Sequence, residues 1–341
     1  MKTLKFGDKI IYAVNMLIAL LLLIAYVLPY LPPQRFAFLS VLSLSVPLLI
    51  ALNIMFCLYW LLRIKKQLLL SLIILCFGYG YINSMYKFSS SKAIEGIENI
   101  SIMNYNVRLF NLFDWIPSKT VKTDIIKFIS LEQPDILCLQ EYHQNEVFNL
   151  KGYYKYESLS NGKIKSGQVI FTRYPIIDSG SVKFPNTYNN AIFVDIVIRN
   201  DTIRVYNIHL QSSGINTDMS SLKKESSNDL FKQVSKTFKL QQTQVELFLK
   251  HKSKCHYKTI ISGDFNNTAY SYVYNKIKHN YIDAFEEAGH GFGQTYNFKF
   301  FPVRIDFILV DDAITVNNFK TYDIKLSDHY PIKATLMLSQ L

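Results

Sequence analysis

The sequence predicts an all-α membrane region of three transmembrane helices, followed by a mixed α/β domain built on two packed sheets. Three observations favour this division. Apolar runs without charge fill only the first part of the chain, strand-like runs dominate the rest, and segments with helical spacing separate several of those strands. The length of 341 residues is enough for two such units. Two sheets flanked by helices would bury the apolar faces of the second unit.

Three charge-free runs define the membrane region, which we assign to residues 1–87. At a rise of about 1.5 Å per residue, each run is long enough to cross a hydrocarbon core of about 30 Å. Pro47 lies inside the second run and predicts a kink, which transmembrane helices tolerate. The predicted helices span residues 10–31, 36–62 and 67–86.

Two alternatives to membrane helices are weaker. A cleavable signal peptide would fit Lys2, Lys5 and Lys9, which precede the first run. That run is long for a signal peptide, however, no small-residue cleavage site follows it, and two further apolar runs come after it. A buried bundle of soluble helices is the second alternative, but no polar face recurs along the runs.

The basic residues predict the topology of a multi-pass membrane protein. Of the net charge of +11, residues 1–87 carry +7, since eight Lys and Arg side chains accompany Asp8 alone. Basic clusters at residues 2–9 and 63–66 flank the predicted helices, and three crossings place both clusters on one side. The positive-inside bias makes that side the cytoplasm. The rest of the chain is then extracytoplasmic, on the periplasmic face in a bacterium.

Two features weaken this topology prediction. Lys87 and Lys92 lie just beyond the third run and reduce the charge asymmetry. The third run also contains Gly78 and Gly80, which lower its helix propensity. If that run fails to span the membrane, the domain that follows lies in the cytoplasm.

A polar connector at residues 88–98 leads into the second unit, residues 99–341. Apolar residues at helical spacing predict a helix over residues 120–131, and residues 212–252 read as a polar loop leading into a long amphipathic helix. The strand-like runs are ISIMNYNV, PDILCLQE, SGQVIFTRYPI, AIFVDIVIRN, TIRVYNIHLQ and TII, and after these come AYSYVYNKI, RIDFILV and finally LSDHYPIKATLML.

The second unit is organised around residues 259–268, with the sequence TIISGDFNNT. A short buried strand is predicted to end at Gly263, with Asp264 and Asn266 following two residues apart. In extended backbone they share a face, so both would enter a cleft while Phe265 turns into the core. An anionic oxygen beside a neutral amide suits a hard cation, a bound water and a phosphate. The alternative is a polar turn after a strand.

Further polar residues lie at the ends of apolar strands, where open sheets place their sites. Individually each has a structural explanation: Asn106 suits a turn, Glu141 a solvated strand end, and His209 a buried core position. Asp306 lies inside an apolar strand, where a carboxylate needs a partner, and His329 is the natural candidate. The full set comprises Asn106, Glu141, His209, Asp264, Asn266, Asp306, Asp328 and His329.

The site residues lie in seven motifs along the chain: MNYNVRLF, PDILCLQE, SGQVIFTRYPI, YNIHLQS, SGDFNNT, RIDFILV and SDHYPI. In this order the motifs resemble those of the endonuclease/exonuclease/phosphatase superfamily, which includes pancreatic deoxyribonuclease, abasic-site endonucleases, neutral sphingomyelinases and inositol polyphosphate 5-phosphatases. The resemblance covers about Asn99 to Leu338. GDFN with a later SDH is its strongest part. The resemblance implies a four-layer α-β-β-α sandwich with a divalent-metal site where the ends of the two sheets meet.

The resemblance also implies a role for each residue. Glu141 would bind the metal, helped by Asn106 and Asp328. Oxygen ligands without cysteine indicate Mg²⁺ or Mn²⁺. The catalytic set would then be Asp264, which orients or deprotonates the attacking water, Asn266, which holds the phosphate or that water, His329, positioned by Asp306 against the phosphate, and His209, which assists the leaving group.

The expected function is therefore membrane-anchored, metal-dependent hydrolysis of phosphodiesters, most simply of a nuclease type. Lipid headgroups are the main alternative substrate, because the chain is membrane-attached, and phosphomonoesters are a third. The +4 charge left outside the membrane region permits nucleic-acid binding without demanding it. A membrane-anchored binding protein without turnover is the alternative from another class. The implied partners are the phosphate-ester substrate and the bilayer, with no obligate protein partner.

Overall fold

The structure, a computed structural model, describes residues 4–88, 99–144, 148, 150–215, 226–298 and 301–338. The predicted linker at 88–98 lies, apart from its first residue, outside these described residues. The regular elements of residues 4–85 are all helices or 3-10 turns. These elements are α1 (Phe6–Ala25), a 3-10 turn (Leu28–Tyr30), α2 (Pro33–Val41), a 3-10 turn (Leu42–Ser45), α3 (Val46–Leu62), α4 (Leu68–Phe77) and α5 (Tyr79–Met85).

Two helical segments, Phe6–Tyr30 and Pro33–Leu62, are long and apolar enough to cross a membrane, so two of the three predicted spans are clear and the third is not a continuous helix. The third run is two short helices, α4 and α5, bent by 74°. The bend lies at Gly78, where the Tyr26 ring occupies the space that a Cβ atom would need. Pro47 also acts differently from the predicted kink, since it lies in the first turn of α3.

Helices α1, α3 and α4 pack together as a bundle. Near its middle, the Asn15 amide donates to Ser71 of α4 at 2.7 Å, and the Trp60 indole of α3 donates to Asn15 at 3.0 Å. Polar groups between apolar helices stabilise their association in this way. At one end, the foot of the bundle, Asp8 of α1 pairs with Arg63.

The opposite end of the bundle, its head, is apolar. We define the head by Tyr26 after α1, Val46 at the start of α3, and Gly78 after α4, which packs on Tyr26. The two chain segments that emerge at the head, residues 27–45 and 79–88, both contact the α/β domain. The head therefore faces the domain and the foot faces away from it.

The domain contains twelve strands and four further helices within its described residues. Its strands are β1 (Asn99–Asn106), β2 (Ile136–His143), β3 (Tyr154–Leu159), β4 (Ser166–Thr172), β5 (Ile176–Lys183), β6 (Asn190–Ile198), β7 (Asp201–His209), β8 (Lys258–Asp264), β9 (Ile282–Asp283), β10 (Asp306–Val310), β11 (Ile314–Thr321) and β12 (Ile332–Leu338). Its helices are α6 (Val121–Glu132), α7 (Ser227–Lys252), α8 (Tyr272–Lys278) and α9 (Ala284–Ala288).

These strands form two six-stranded mixed sheets, in the orders β11-β12-β1-β2-β4-β3 and β5-β6-β7-β8-β10-β9. An apolar core that includes Ile102, Ile136, Val205 and Ile260 fills the space between them. Helix α6 covers the outer face of the first sheet, and α7 and α8 cover that of the second. The α/β fold with two mixed sheets and helices outside them is confirmed.

One strand-like run divides between the two sheets. SGQVIFTRYPI was expected to be continuous, but β4 ends at Thr172 and β5 begins at Ile176 in the other sheet. The intervening Pro175 lacks the N–H group that a continuous ladder needs. The predicted helix at 120–131 matches α6 within a residue, and α7 is the predicted long amphipathic helix.

Candidate active site

The central strands of both sheets bring the predicted residues to one edge of the sandwich. Strands β1 and β2 run parallel in the first sheet, and β7 and β8 run parallel in the second. The ends of these strands carry Asn106 and Glu141 in the first sheet and His209 and Asp264 in the second. Strand β10 is antiparallel to β8 and begins at Asp306, directly opposite Asp264.

The local backbone around Asp264 differs from the prediction. Gly263 does not end the strand: β8 continues through it with φ +150°, and a Cβ there would lie 2.0 Å from the Ile208 carbonyl oxygen. Glycine permits this close approach of β7. Asn266 reaches Asp264 through a left-handed backbone, φ +48°, rather than through extended geometry. Its amide still lies 3.2 Å from the Asp264 carboxylate, and Phe265 is buried as expected.

Glu141 enters the site from a β-bulge. The pairing of β2 with β4 shifts between Leu139 and Tyr142, and Glu141 has φ +47°. Bulges of this kind re-aim a side chain next to a site. The Asn106 amide nitrogen donates to Glu141 at 3.2 Å and to Asp264 at 3.1 Å, so one side chain connects the carboxylates of the two sheets.

His329 and Asp306 form a buried pair. The His329 Nδ1 atom lies 2.9 Å from Asp306, and its Nε2 atom lies 3.7 Å from Asp264. Burial acts to lower the pKa of His329, but the carboxylates of Asp306 and Asp264 outweigh it and raise that pKa to about 10. The backbone N–H of Asp306 donates to Thr295 at 3.0 Å, which fixes the strand end. The imidazole is therefore held as a cation in a fixed orientation.

His209 lies between the carboxylates without a close hydrogen bond. Its Nε2 atom is 3.7 Å from Asp264 and 4.0 Å from Glu141, and it has no hydrogen-bond partner among the described residues. Burial lowers the pKa of His209, so the imidazole is neutral near pH 7. Burial also raises the pKa of Asp264 to about 6, although His329 acts against this increase. The two histidines thus differ in charge.

Asp328 lies on the rim of the site. Its carboxylate is 3.3 Å from the Arg108 Nε atom, and the Arg108 guanidinium lies 4.4 Å from the centre of the Trp115 ring. Ser327 next to it donates to the backbone oxygen of Asn106 at 2.9 Å, which ties the rim to β1. All eight predicted residues are therefore gathered at this edge.

Sequence reasoning missed a network of amides beneath the site. Asn104 accepts hydrogen bonds from Gln140 at 2.7 Å and from Ser262 at 3.0 Å, and Gln140 also donates to Asn207 at 2.6 Å. These bonds link the two sheets inside the core. A signal was present, because Asn104 and Asn207 each precede a site residue by two positions and so share its face. Arg108 with Trp115 was also missed.

The donor set fits a hard divalent cation. Glu141 keeps 37% of its side chain exposed, although the surrounding protein excludes enough water to raise the pKa of its carboxyl group. Asp328 offers a second carboxylate on the same rim. The Asn106 oxygen already accepts the backbone N–H of Arg108 at 3.1 Å, so in this arrangement Asn106 holds Glu141 through its nitrogen. Its part as a metal ligand stays a prediction.

Among the described residues, the side chains that form a group with metal-ligand spacing are Asp264, Asp306 and His329, whose ligand atoms lie within 4.8 Å of one another. In this group, the Nδ1 atom of His329 and one Asp306 oxygen are engaged in their mutual hydrogen bond. The more exposed carboxylates of Glu141 and Asp328 are the better fit for an ion that also keeps water ligands.

Two stacked mixed sheets with carboxylates, amides and histidines at their shared edge define a class of α/β phosphoester hydrolase folds. A family model described as Endonuclease/Exonuclease/phosphatase family matches residues 103–329, and the chain belongs to that family. Members of the family are phosphoesterases, which agrees with the resemblance read from the motifs. A second model, described only as a domain of unknown function, matches residues 8–85. No curated protein matches the chain in sequence.

Solved structures share the fold at low sequence identity. An endonuclease/exonuclease/phosphatase from Bacteroides vulgatus has 18% identity and a TM-score of 0.56, covering 71% of this chain and 99% of its own. A mannosyl-6-phosphatase from Bacteroides thetaiotaomicron has 16% identity and a TM-score of 0.53, covering 70% and 100%. D. rerio TDP2 complexed with a single-strand DNA product has 18% identity and a TM-score of 0.52, covering 70% and 98%.

Proposed function

We propose that the protein is a membrane-anchored, divalent-metal-dependent phosphoesterase that hydrolyses phosphodiester bonds with an activated water. The observation that carries the proposal is the continuous constellation at the sheet edge, in which Asn106 joins Glu141 to Asp264 and the Asp264 carboxylate lies 3.7 Å from both His209 and His329. A binding protein without turnover has no need for two imidazoles around one buried carboxylate.

The residues divide the reaction between them. Asp264, with a pKa of about 6, accepts the proton of the attacking water, because a general base works best near the operating pH. The His329 imidazolium, oriented by Asp306, stabilises the negative charge that develops on the phosphate oxygens. Neutral His209 donates a hydrogen bond to the leaving oxygen. A divalent ion held by Glu141 and Asp328 would neutralise phosphate charge.

The first test measures turnover by the full chain purified in detergent micelles. We expect hydrolysis of bis(p-nitrophenyl) phosphate that EDTA abolishes and that added Mg²⁺ or Mn²⁺ restores. Absence of turnover at any metal concentration, from protein with an intact thermal unfolding transition, would support the alternative of a binding protein.

We further propose that residues 1–87 cross the membrane three times despite the bend in the third run. The foot of the bundle joins Asp8 of α1 to Arg63 at the end of α3. The head holds the other ends of these helices. Helix α4 starts near the foot, bonds to Asn15 through Ser71, and ends at Gly78 against Tyr26 in the head. The chain therefore leaves the bundle at the head, where the domain of residues 99–341 lies.

This path predicts an extracytoplasmic domain, because the basic clusters at residues 2–9 and 63–66 mark the foot as the cytoplasmic side. An alkaline phosphatase reporter fused after Leu341 should be active, whereas a green fluorescent reporter at the same position should stay dark. The same two reporters fused after Lys65, between the second and third runs, should give the opposite pattern. Fluorescence without phosphatase activity at Leu341 would contradict the topology.

A further inference from the structure

The head of the helical bundle reaches almost to the active site. Tyr270 of the domain is buried in the apolar cluster of the head, together with Leu22, Val46 and Leu75, and only 5% of it is exposed. Tyr270 follows the site residue Asn266 by four positions. Four residues of chain span at most about 14 Å, so the site edge lies within that distance of Tyr270.

The lipid headgroups lie within this range of the head. The headgroup layer adds about 5–8 Å to each side of a hydrocarbon core of about 30 Å. The charge-free part of α1 ends at the head, since the helix finishes at Ala25 and polar contacts with the domain begin a few residues later. The apolar core of the bilayer therefore ends near the head, and the Asn266 side of the site lies close to the layer of lipid phosphates.

Several hydrogen bonds hold the domain at this distance from the head of the bundle. The Gln34 backbone N–H of α2 donates to Gln242 of α7 at 2.9 Å, and Asn275 of α8 donates to the Pro29 carbonyl oxygen at 3.2 Å. On the other side, Arg304 donates to the Ser84 carbonyl oxygen at 3.3 Å. These contacts reach from both chain segments at the head to three different parts of the domain, so the site is not free to swing away from the bilayer.

Arg304 is itself anchored inside the domain. It is 6% exposed and pairs with buried Asp283 at 2.6 Å, while Asp283 also accepts a 2.6 Å hydrogen bond from Tyr274. Breaking such a buried pair is costly because it leaves an uncompensated charge. The domain therefore holds the Arg304 side chain firmly in the position from which it contacts the helical region.

The segment that borders the active site also borders the contact surface between the domain and the membrane helices. The Tyr296 ring lies 5.1 Å from the His329 ring, and the Tyr296 backbone N–H donates to Val303 at 3.1 Å. Val303 and Phe301 line a cleft whose opposite side is formed by Pro47 at the start of α3. Phe301 is 40% exposed there. An apolar surface thus continues from the membrane helix to the neighbour of the catalytic histidine.

We infer that the substrate is a phosphodiester lipid carried by the same bilayer that holds the helices. This inference rests on the proposed function and adds the substrate class to it. In the reaction, the water oxygen forms a bond to phosphorus, a P–O ester bond breaks, and the leaving oxygen takes a proton, which gives a phosphomonoester and an alcohol. A nucleic-acid substrate would favour a basic groove, whereas the chain outside the membrane region carries only +4 over its whole length.

The test uses the full chain reconstituted in vesicles of phosphatidylcholine, phosphatidylethanolamine, phosphatidylglycerol and sphingomyelin in equal parts. The soluble probes are the short-chain dibutyroyl forms of the three glycerolipids, a single-stranded DNA oligonucleotide and bis(p-nitrophenyl) phosphate. We expect at least one lipid of the host vesicle to be hydrolysed at least about tenfold faster than its soluble reference. The reference for each glycerolipid is its short-chain form, and the reference for sphingomyelin is the oligonucleotide. Protein-free vesicles mixed into the sample should keep their lipids.

A variant separates docking from catalysis. Tyr81 of α5 lies outside the hydrolase domain, stacks on Tyr26 at 4.7 Å and accepts a hydrogen bond from Tyr270 at its backbone oxygen. Tyr81→Ala should lower the rate on the host lipid several-fold and leave bis(p-nitrophenyl) phosphate hydrolysis unchanged. Tyr79→Ala is the matched control, since Tyr79 lies two residues away on the same helix and is 69% exposed. It should change neither rate.

The outcomes distinguish the two levels of the proposal. Hydrolysis of bis(p-nitrophenyl) phosphate with no attack on the host lipids, or faster cleavage of the oligonucleotide than of any lipid, overturns the lipid inference and leaves the proposed function standing. No hydrolysis of any probe overturns both. Equal hydrolysis of lipids in the host vesicles and in the protein-free vesicles also overturns the inference, because a fixed site reaches only its own bilayer.

Discussion

Replacing Glu141 by glutamine should abolish turnover at low metal concentration, with a loss of at least about 10²-fold in kcat/KM, or several kcal/mol. The carboxylate is the partly exposed anionic group that Asn106 holds at the opening of the site, at 3.2 Å. Glutamine keeps the shape and the hydrogen-bonding oxygen but removes the charge that a hard cation needs. Because the defect is in metal affinity, excess Mn²⁺ should restore part of the activity by mass action.

The measurement is a titration of activity against free Mg²⁺ and Mn²⁺ for wild type and variant. Glu157→Gln is a matched control, because it removes the same charge from strand β3. Glu157 pairs there with Lys155 rather than with a site residue. The control should keep the wild-type metal dependence. If Glu141→Gln were as active as wild type at low metal, Glu141 would not be a ligand.

The sequence predicted which residues gather at the site better than it predicted how they reach it. Order along the chain and strand ends were enough to select Glu141 and Asn266. Their backbones, however, adopt left-handed conformations, with φ +47° and +48°. Non-glycine residues rarely adopt such values, and only the surrounding pairing and hydrogen bonds stabilise them. The assumption of extended backbone therefore placed Asn266 beside Asp264, as observed, but it did not predict the left-handed conformation that brings them together.

The bend of the third apolar run shows a different limit. Composition alone marked residues 67–86 as a span, because every residue is uncharged. At Gly78, where the helix breaks, the Tyr26 ring packs so closely that it leaves no room for a Cβ atom. A contact across fifty residues leaves no local pattern. Gly78 and Gly80 lower the helix propensity of the run, but glycine by itself indicates only where a helix is easily interrupted.

The amides beneath the site mark a third limit. Asn104 and Asn207 lie on strands β1 and β7, which carry several other polar residues, so the sequence alone does not set these two apart. Their role depends on hydrogen bonds between the two sheets, in which Gln140 of the first sheet donates to Asn207 of the second at 2.6 Å. Buried polar groups need such partners, but one sequence does not reveal which strand of the other sheet supplies them.

Asp306 and His329 should act as one unit, and removing either should cost about as much as removing both. Asp306 is 1% exposed and lies 2.9 Å from the His329 Nδ1 atom, so it fixes the charge and orientation of the imidazole. We expect Asp306→Asn, His329→Ala and the double variant each to lower kcat by about 10²-fold or more, on the order of 3 kcal/mol. Additive losses in this cycle would show that the residues are not coupled.

The pH dependence gives an independent measure of the same pair. The folded-state pKa of His329 is raised to about 10 by Asp306 and Asp264, against the effect of burial. Removing the Asp306 charge lowers that pKa, so the imidazolium is lost at a lower pH, and the alkaline limb of the kcat profile of Asp306→Asn should move to lower pH. Asp195→Asn, which removes a buried carboxylate paired with Arg204 in the second sheet, should leave that limb in place. An alkaline limb unaffected by Asp306→Asn would mean that the charge of His329 does not depend on Asp306, and the role of this pair in stabilising the phosphate would have to be abandoned.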